Sequence, residues 1–193
     1  MFQDLGCLLV DADAVAKEAL AEPSVKAELA RAFGGGVFDA AGEVDRKALA
    51  QAAFGPPART RELNRIVHPA VRERLREEAS RASGAIVFDA PLLLEAGLEG
   101  DCDLVVHVDA PAEVRKTRAA GRGWSEEEWR RREACQAPPD EKKRRAGAVV
   151  DNGGPAARAR EQVEAIFRTR ILPGLEAGGA GQGAPRLKGR AGE

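Results

Sequence analysis

The chain has 193 residues, 32% of them Asp, Glu, Lys or Arg, and a formal net charge of −1. That length holds one domain with a full core, and the balanced charge gives no basic excess for nucleic acid and no reason to invoke a membrane surface. Cys7, Cys102 and Cys135, odd in number and outside any CxxC pattern, suit a reducing compartment and rule out an obvious zinc site; with no apolar run near the ~20 residues of a span and no signal-peptide plan, the expected location is cytoplasmic.

Phe2 and Leu5 lie three apart, as on one face of a helix already under way at Met1. Leu8-Leu9-Val10 runs straight into Asp11-Ala12-Asp13 and reads as a buried parallel strand whose carboxyl end opens into a site, because ligands of open α/β sheets bind at that end. The pattern recurs: Ile86-Val87-Phe88 stops at Asp89, Leu104 to Val108 at Asp109, and Val149-Val150 at Asp151. One Asp after a strand is most simply a turn or helix-cap residue. The pair Asp11 and Asp13 carries one carboxylate more than a cap needs.

Ala14 to Ala21 is strongly helix-forming, and after Pro23 a second helix is expected from Ser24, as its cap, to Phe33. Gly34-Gly35-Gly36 and Asp39 to Gly42 read as helix end, loop and tight turn. They are not a phosphate loop, since no Gly-Lys-Ser/Thr follows and no clear strand precedes. Asp45 caps a short helix through Phe54, and Gly55-Pro56-Pro57 breaks it. A long helix then runs from Ala58 to Ser83 with Ile66, Val67, Val71 and Leu75 on one stripe, and a kink or division is expected at Pro69. His68, with no second His or Cys nearby, reads as structural, and the Arg and Glu residues from Arg72 to Arg81 as a solvated face with spaced ion pairs.

Asp-Ala-Pro after the second strand ends its ladder and puts Glu95 near the carboxyl edge of the sheet. After a strand over Asp103 to Val108, Pro111 opens a helix that carries Glu113, Arg115, Lys116 and Arg118 and ends at Gly121. Ser125 and Glu128 form a capping box for a helix with Trp129 and Arg130-Arg131-Arg132. Gln136-Ala137-Pro138-Pro139 stops that helix, and Asp140 begins a basic one through Arg145. Two arginine-rich helices joined by a proline turn resemble a lid over phosphates; an ordinary charged helix pair fits the composition equally well. A last helix spans Pro155 to about Leu172, and the Gly, Ala and Pro beyond Pro173 predict disorder, with Arg186, Lys188 and Arg190 solubilising. No internal repeat is visible.

Several short stretches form an ordered set: Leu5-Gly6, Asp11-Ala12-Asp13 with Ala16-Lys17, Phe33-Gly34 before Asp39, His68-Pro69, and Asp89-Ala90-Pro91-Leu92-Leu93 with Glu95. Val108-Asp109-Ala110-Pro111, Ser125-Glu126-Glu127, Gln136, Lys142 and Val150-Asp151-Asn152 complete it. In order and spacing the chain resembles the dephospho-coenzyme A kinases, a family of P-loop kinases, from Phe2 to about Phe167. The resemblance implies an α/β fold, a P-loop kinase-like parallel sheet in three layers. It implies a single domain over 1–175, with a helical acceptor-binding insertion about 24–83, a lid about 118–146, and a disordered tail over 176–193.

Such enzymes phosphorylate the ribose 3′-hydroxyl of dephospho-coenzyme A with ATP and Mg2+, the last step of coenzyme A synthesis. The resemblance makes Asp13 the general base, a role that suits a carboxylate beside a weakly nucleophilic hydroxyl. It assigns Asp11 to the acceptor side and, with Asp89, to magnesium-bound waters. Lys17, His68, Pro91, Leu92 and Glu95 fall to the acceptor, Arg118, Arg122, Gln136 and Lys142 to ATP and the lid, and Asn152 to the adenine. The implied partners are dephospho-coenzyme A and ATP, with neither nucleic acid nor membrane, in a monomer or weak homo-oligomer.

Gly147 departs from the family, which usually has Asp there, with an expected effect on local capping. The front departs more. A P-loop kinase opens with a strand, Gly-x-x-x-x-Gly-Lys-Ser/Thr and a helix, and none of these 193 residues spell that loop. The expectation is that Met1 lies inside the helix after the loop and that the true start is upstream. The alternative is a remnant that binds dephospho-coenzyme A or coenzyme A without transferring phosphate. As it stands the polypeptide is expected to be a very poor kinase whose remaining strands expose an unpaired edge. A nucleoside or nucleotide kinase with another acceptor is the third reading.

Overall fold

A computed structural model describes residues 1–53, 57–82, 84–134 and 136–178. The chain divides into two compact units, Leu9–Ala90 on one side and Met1–Leu8 with the chain from Pro91 onward on the other.

The Leu9–Ala90 unit is mostly helical. Strand β1 (Leu8–Asp11) leads into α1 (Ala12–Ala21), α2 (Pro23–Phe33), α3 (Arg46–Ala53) and α4 (Pro57–Arg81), and the chain returns as β2 (Ile86–Asp89), which pairs with β1. Val15 and Ala19 on α1, and Val25 and Leu29 on α2, are buried at a spacing of one helical turn. Val25, Leu29, Val37, Leu49 and Ile66 form the core, with Leu20, Phe33, Phe38, Leu63 and Val67 packed around it. Gly34 ends α2 at φ 80°, a backbone conformation that glycine adopts without a Cβ clash. Asp39 Oδ1 accepts from the N–H groups of Ala41 and Glu43 at 2.9 Å each, which closes the expected tight turn. Asp45 caps α3 as its position predicts, accepting from Lys47 and Ala48 at 2.9 and 3.1 Å.

Two expectations change here. Pro23, not Ser24, opens α2: it needs no N–H partner in the first turn, and Glu22 at the cap position makes no side-chain cap bond. Helix α4 passes through Pro69 without division. Pro69 removes one hydrogen bond, but Ile66, Val71, Leu75 and Ala79 are buried on both sides of it and hold one continuous helix. The helix end expected at Phe54, the break at Gly55 and Pro56, and the end at Ser83 lie outside the described residues.

In the other unit, a short turn over Gln3–Leu5 ends at Gly6, so Met1 does not lie inside a helix as expected; Phe2 and Leu5 nonetheless pack on one core with Val106, Val150, Ala159, Val163 and Ile166. Strands β3 (Val106–Asp109) and β4 (Ala148–Asp151) run parallel, in register from Val106 opposite Ala148 to Asp109 opposite Asp151. Between them lie α5 (Ala112–Gly121), α6 (Glu126–Ala134) and α7 (Pro139–Arg145); α8 (Ala156–Ile166) and α9 (Leu172–Gly178) follow. β3 begins later than the apolar run predicts: of Leu104-Val105, only the Val105 carbonyl joins the ladder, accepting from Gly147 and Ala148 at 2.9 and 3.2 Å. The Ser125 cap is present, its Oγ accepting from Glu128 at 3.1 Å. The chain stays helical past Pro173. A π turn over Phe167–Ile171 shifts the backbone bonding to five residues, Leu172 N–H to Phe167 O, and Pro173 falls at the start of α9. Residues 179–193 of the expected tail lie outside the described residues. Among the described residues no helix is long and apolar enough to cross a membrane.

Candidate functional site

The turn from β1 into α1 is built by its first aspartate. Asp11 Oδ1 accepts from the N–H groups of Asp13 at 2.9 Å and Ala14 at 3.2 Å, so Asp11 is the cap of α1 and the simple account of a strand-end Asp holds for it. That cap fixes the backbone of Asp13, whose exposed carboxylate stands in the first turn of α1. Lys17 follows one turn later, also exposed, and α1 packs on α4, where His68 is half-buried. Asp89, exposed, is the last residue of β2 as Asp11 is of β1. Among the described residues no group of three or more His, Cys, Asp or Glu side chains stands ready to hold a metal directly.

In the unit that begins again at Pro91, the segment after β2 is a compact turn. Ala96 N–H reaches Leu92 O at 2.9 Å and Leu98 N–H reaches Leu93 O at 3.0 Å. Leu94 and Leu98 are buried while Pro91 and Leu92 stay exposed. Glu95 faces α7: its Oε1 accepts the N–H of Ala137 at 2.6 Å and pairs with Lys142 Nζ at 3.0 Å. Lys142 Nζ also donates to Gln136 Oε1 at 2.8 Å and to the Pro91 carbonyl at 3.0 Å. Burial pushes the Glu95 carboxyl up, but the Ala137 N–H, its own N–H and Lys142 outweigh that and hold it below the ordinary glutamate value.

The rest of α7 is tied down in the same way. Arg145 pairs with Glu99, and Lys143 Nζ lies 2.8 Å from Asp109 Oδ2. Lys143 holds the Asp109 carboxyl below its ordinary range. Next to it, His107 Nε2 is buried without a hydrogen bond, 3.7 Å from Asp109 Oδ1. Burial lowers the imidazole's proton affinity, Lys142 and Lys143 lower it further, and Asp109 opposes them.

The residues assigned to the donor divide between held and free. Arg118 Nη1 donates to the Asn152 carbonyl at 2.8 Å, and Asn152 N–H bonds to Asp109 O at 2.7 Å, so the backbone of Asn152 is fixed from two sides. Arg122, exposed at the end of α5, makes no ion pair with the described residues. Arg115 and Lys116 join α5 to α6 through Glu133 at 2.6 Å and Glu126 at 3.0 Å. The sequence gives no warning of His107, or of partners for Lys142 and Lys143. Such contacts cross tens of residues, and the only local signal is a run of cations on a short helix.

The sequence model of one protein family, described as dephospho-CoA kinase, matches residues 1–157. A dephospho-CoA kinase of Corynebacterium jeikeium is 42% identical over 171 residues, covering 85% of this chain and 87% of that protein. One of Deinococcus radiodurans is 42% identical over 173 residues, covering 87% and 83%. Of solved structures, the crystal structure of TT1252 from Thermus thermophilus matches with a TM-score of 0.73 and 37% identity over 88% of each chain. The dephospho-CoA kinase from Campylobacter jejuni shares the fold, with a TM-score of 0.59 and 21% identity over 89% of each.

Proposed function

The chain belongs to the dephospho-CoA kinase family, and from that membership we propose that it transfers the terminal phosphoryl group of ATP to the ribose 3′-hydroxyl of dephospho-coenzyme A. The observation that carries this is identity of about two residues in five over most of both chains, with two relatives that bear that name. Asp13 is the group we assign as general base. A ribose hydroxyl is a poor nucleophile; a carboxylate within ~3 Å orients it and takes its proton as the new P–O bond forms. The Asp11 cap supports this role because it immobilises the turn from which Asp13 projects.

Lys17 and His68 are assigned to the acceptor, as are Pro91, Leu92 and, through their positions, Glu95. Arg122 is the cation best suited to the triphosphate, since its guanidinium is exposed and free to form the forked contact that phosphate accepts; Arg118 and Asn152 complete the donor assignments. Magnesium fits the strand-end carboxylates only through water. Asp11 has one oxygen engaged in capping, Asp89 is exposed, and a hard cation that keeps most of its waters asks for no more than one or two such groups. When bound, it neutralises charge on the phosphates.

The test is calorimetric titration with dephospho-coenzyme A, followed by a coupled assay of phosphoryl transfer that compares it with adenosine and shikimate as acceptors. Binding of dephospho-coenzyme A and its preferred phosphorylation are expected. Phosphorylation of adenosine or shikimate in its place overturns the assignment, and binding without transfer identifies a silent binding protein.

A further inference from the structure

We propose that Lys142 is a positioning residue that ties α7 and the turn before it to the Pro91-Leu92 segment, so that donor and acceptor affinities are linked through one side chain. The inference rests on the functional reading above and on the lid that the family resemblance implies over about 118–146, which holds α6 and α7, with Pro91 and Leu92 on the acceptor side.

An ammonium group has three N–H donors, and Lys142 Nζ has three oxygen neighbours drawn from three places: the Glu95 carboxylate at 3.0 Å, the Pro91 carbonyl at 3.0 Å and the Gln136 side chain at 2.8 Å. Glu95 in turn takes the N–H of Ala137 at 2.6 Å. The knot therefore joins the start of the segment after β2, the proline turn and α7. The Lys142 and Glu95 side chains keep only 13% and 21% of their exposure, so water competes weakly for these bonds. One helical turn along α7, Arg145 repeats the device with Glu99, four residues beyond Glu95. Lys142 has no donor left for a phosphate unless this knot opens. A displacement of α7 is transmitted to the backbone of Pro91, and a ligand seated against Pro91 and Leu92 biases α7.

Linkage between two ligands is reciprocal, commonly 5- to 150-fold in affinity. The experiment is titration calorimetry of the full chain with dephospho-coenzyme A, with and without a non-hydrolysable ATP analogue, and the converse pair. At least ~5-fold mutual tightening is expected in the wild type. Lys142→Met should bring that factor within ~2-fold of unity while each ligand alone still binds. Glu95→Gln keeps the shape and removes the charge; whatever it does to the affinity for dephospho-coenzyme A alone, the ratio measured with and without the ATP analogue should also approach unity, so it decides the matter if Lys142→Met fails to fold. Three results overturn the inference: absence of linkage in the wild type, linkage that survives both variants, or a Lys142→Met change confined to the affinity for the ATP analogue alone, which makes Lys142 a direct phosphate ligand. Failure of the wild type to bind dephospho-coenzyme A at all is a different outcome and sinks the functional reading beneath it.

Discussion

Asp11 and Asp13 stand two positions apart in a run of apolar residues, and their chemistry differs because their backbone positions differ. Asp11 is the helix cap, its Oδ1 bonded to two N–H groups; Asp13 is inside the first turn with its carboxylate exposed. Substitution should separate the two roles. Asp13→Asn is expected to lower phosphoryl transfer by ~10²-fold or more with little change in melting temperature, because its side chain makes no cap bond. Asp11→Ala should cost ~1 kcal/mol of stability, the usual effect of removing a cap, read as a lower denaturation midpoint. Unchanged turnover in Asp13→Asn would remove that residue from the role of base. Gly147, whose expected effect is on local capping, belongs to the same scale. A Cβ at this position would lie 2.7 Å from Leu104 Cδ1, so a side chain fits only if the end of Leu104 swings aside. The effect is one of local packing next to β4 and reaches beyond the capping that the sequence alone suggests.

At the level of elements, α7 differs most from its sequence reading. Lys142, which the resemblance assigns to ATP and the lid, and its neighbours Lys143 and Arg145 meet Glu95, Asp109 and Glu99, partners that the run of cations does not show. This packing has a consequence in pH. His107 on β3 lies among Asp109, Lys142 and Lys143, and burial first, then the two lysines, depress its proton affinity in the folded chain. The unfolded imidazole titrates near ~6.5. Below that pH the unfolded state binds a proton that the folded state still refuses, so stability falls as pH drops through this range and is fully present at neutral pH. Chemical denaturation of wild type and His107→Gln from pH 7 to 5 should show a shallower slope in the variant. The further loss below ~4, as carboxylates such as Asp109 and Glu95 protonate, should remain in both. Equal slopes above pH 5 would clear His107 of the effect. What the sequence conveyed at this scale was local. Periodicity and capping chemistry placed α1, α3, α5 and α6 because the groups that start them, Asp45 and Ser125 among them, are neighbours in the chain. The start of α2, the unbroken α4 and the helix past Pro173 depended on Pro23 in a first turn, on burial beside Pro69 and on a π turn. Burial and bonding shifts of this kind are not written in spacing.

For the whole molecule, the described strands form two sheets of two strands each, β1 with β2 and β3 with β4. Two strands bury little of their own surface, and apolar side chains of these strands remain open: Leu9 at 41%, Val108 at 58% and Val149 at 43% exposure. Val108 lies opposite Val150 in the register and Val149 opposite His107, so Val108 and Val149 project from opposite faces of the β3-β4 ribbon. A short parallel ribbon with two strand edges, where Gln162 covers the backbone of Asp151 on β4, and with open apolar side chains on both faces is a template for another chain. With a net charge of only −1, long-range repulsion between copies does little to oppose such contacts. The 193-residue polypeptide is therefore expected to associate weakly at high concentration and to scatter light on warming before its helices are lost. Val108→Lys, which puts a charge where the exposure is greatest, should raise the temperature at which scattering begins. Arg168→Lys, on the π turn and outside both sheets, should leave it unchanged. If Val108→Lys scatters at the wild-type temperature, the open strands are not the route by which copies meet, and of the two states the resemblance implies, monomer or weak homo-oligomer, the second would need another surface.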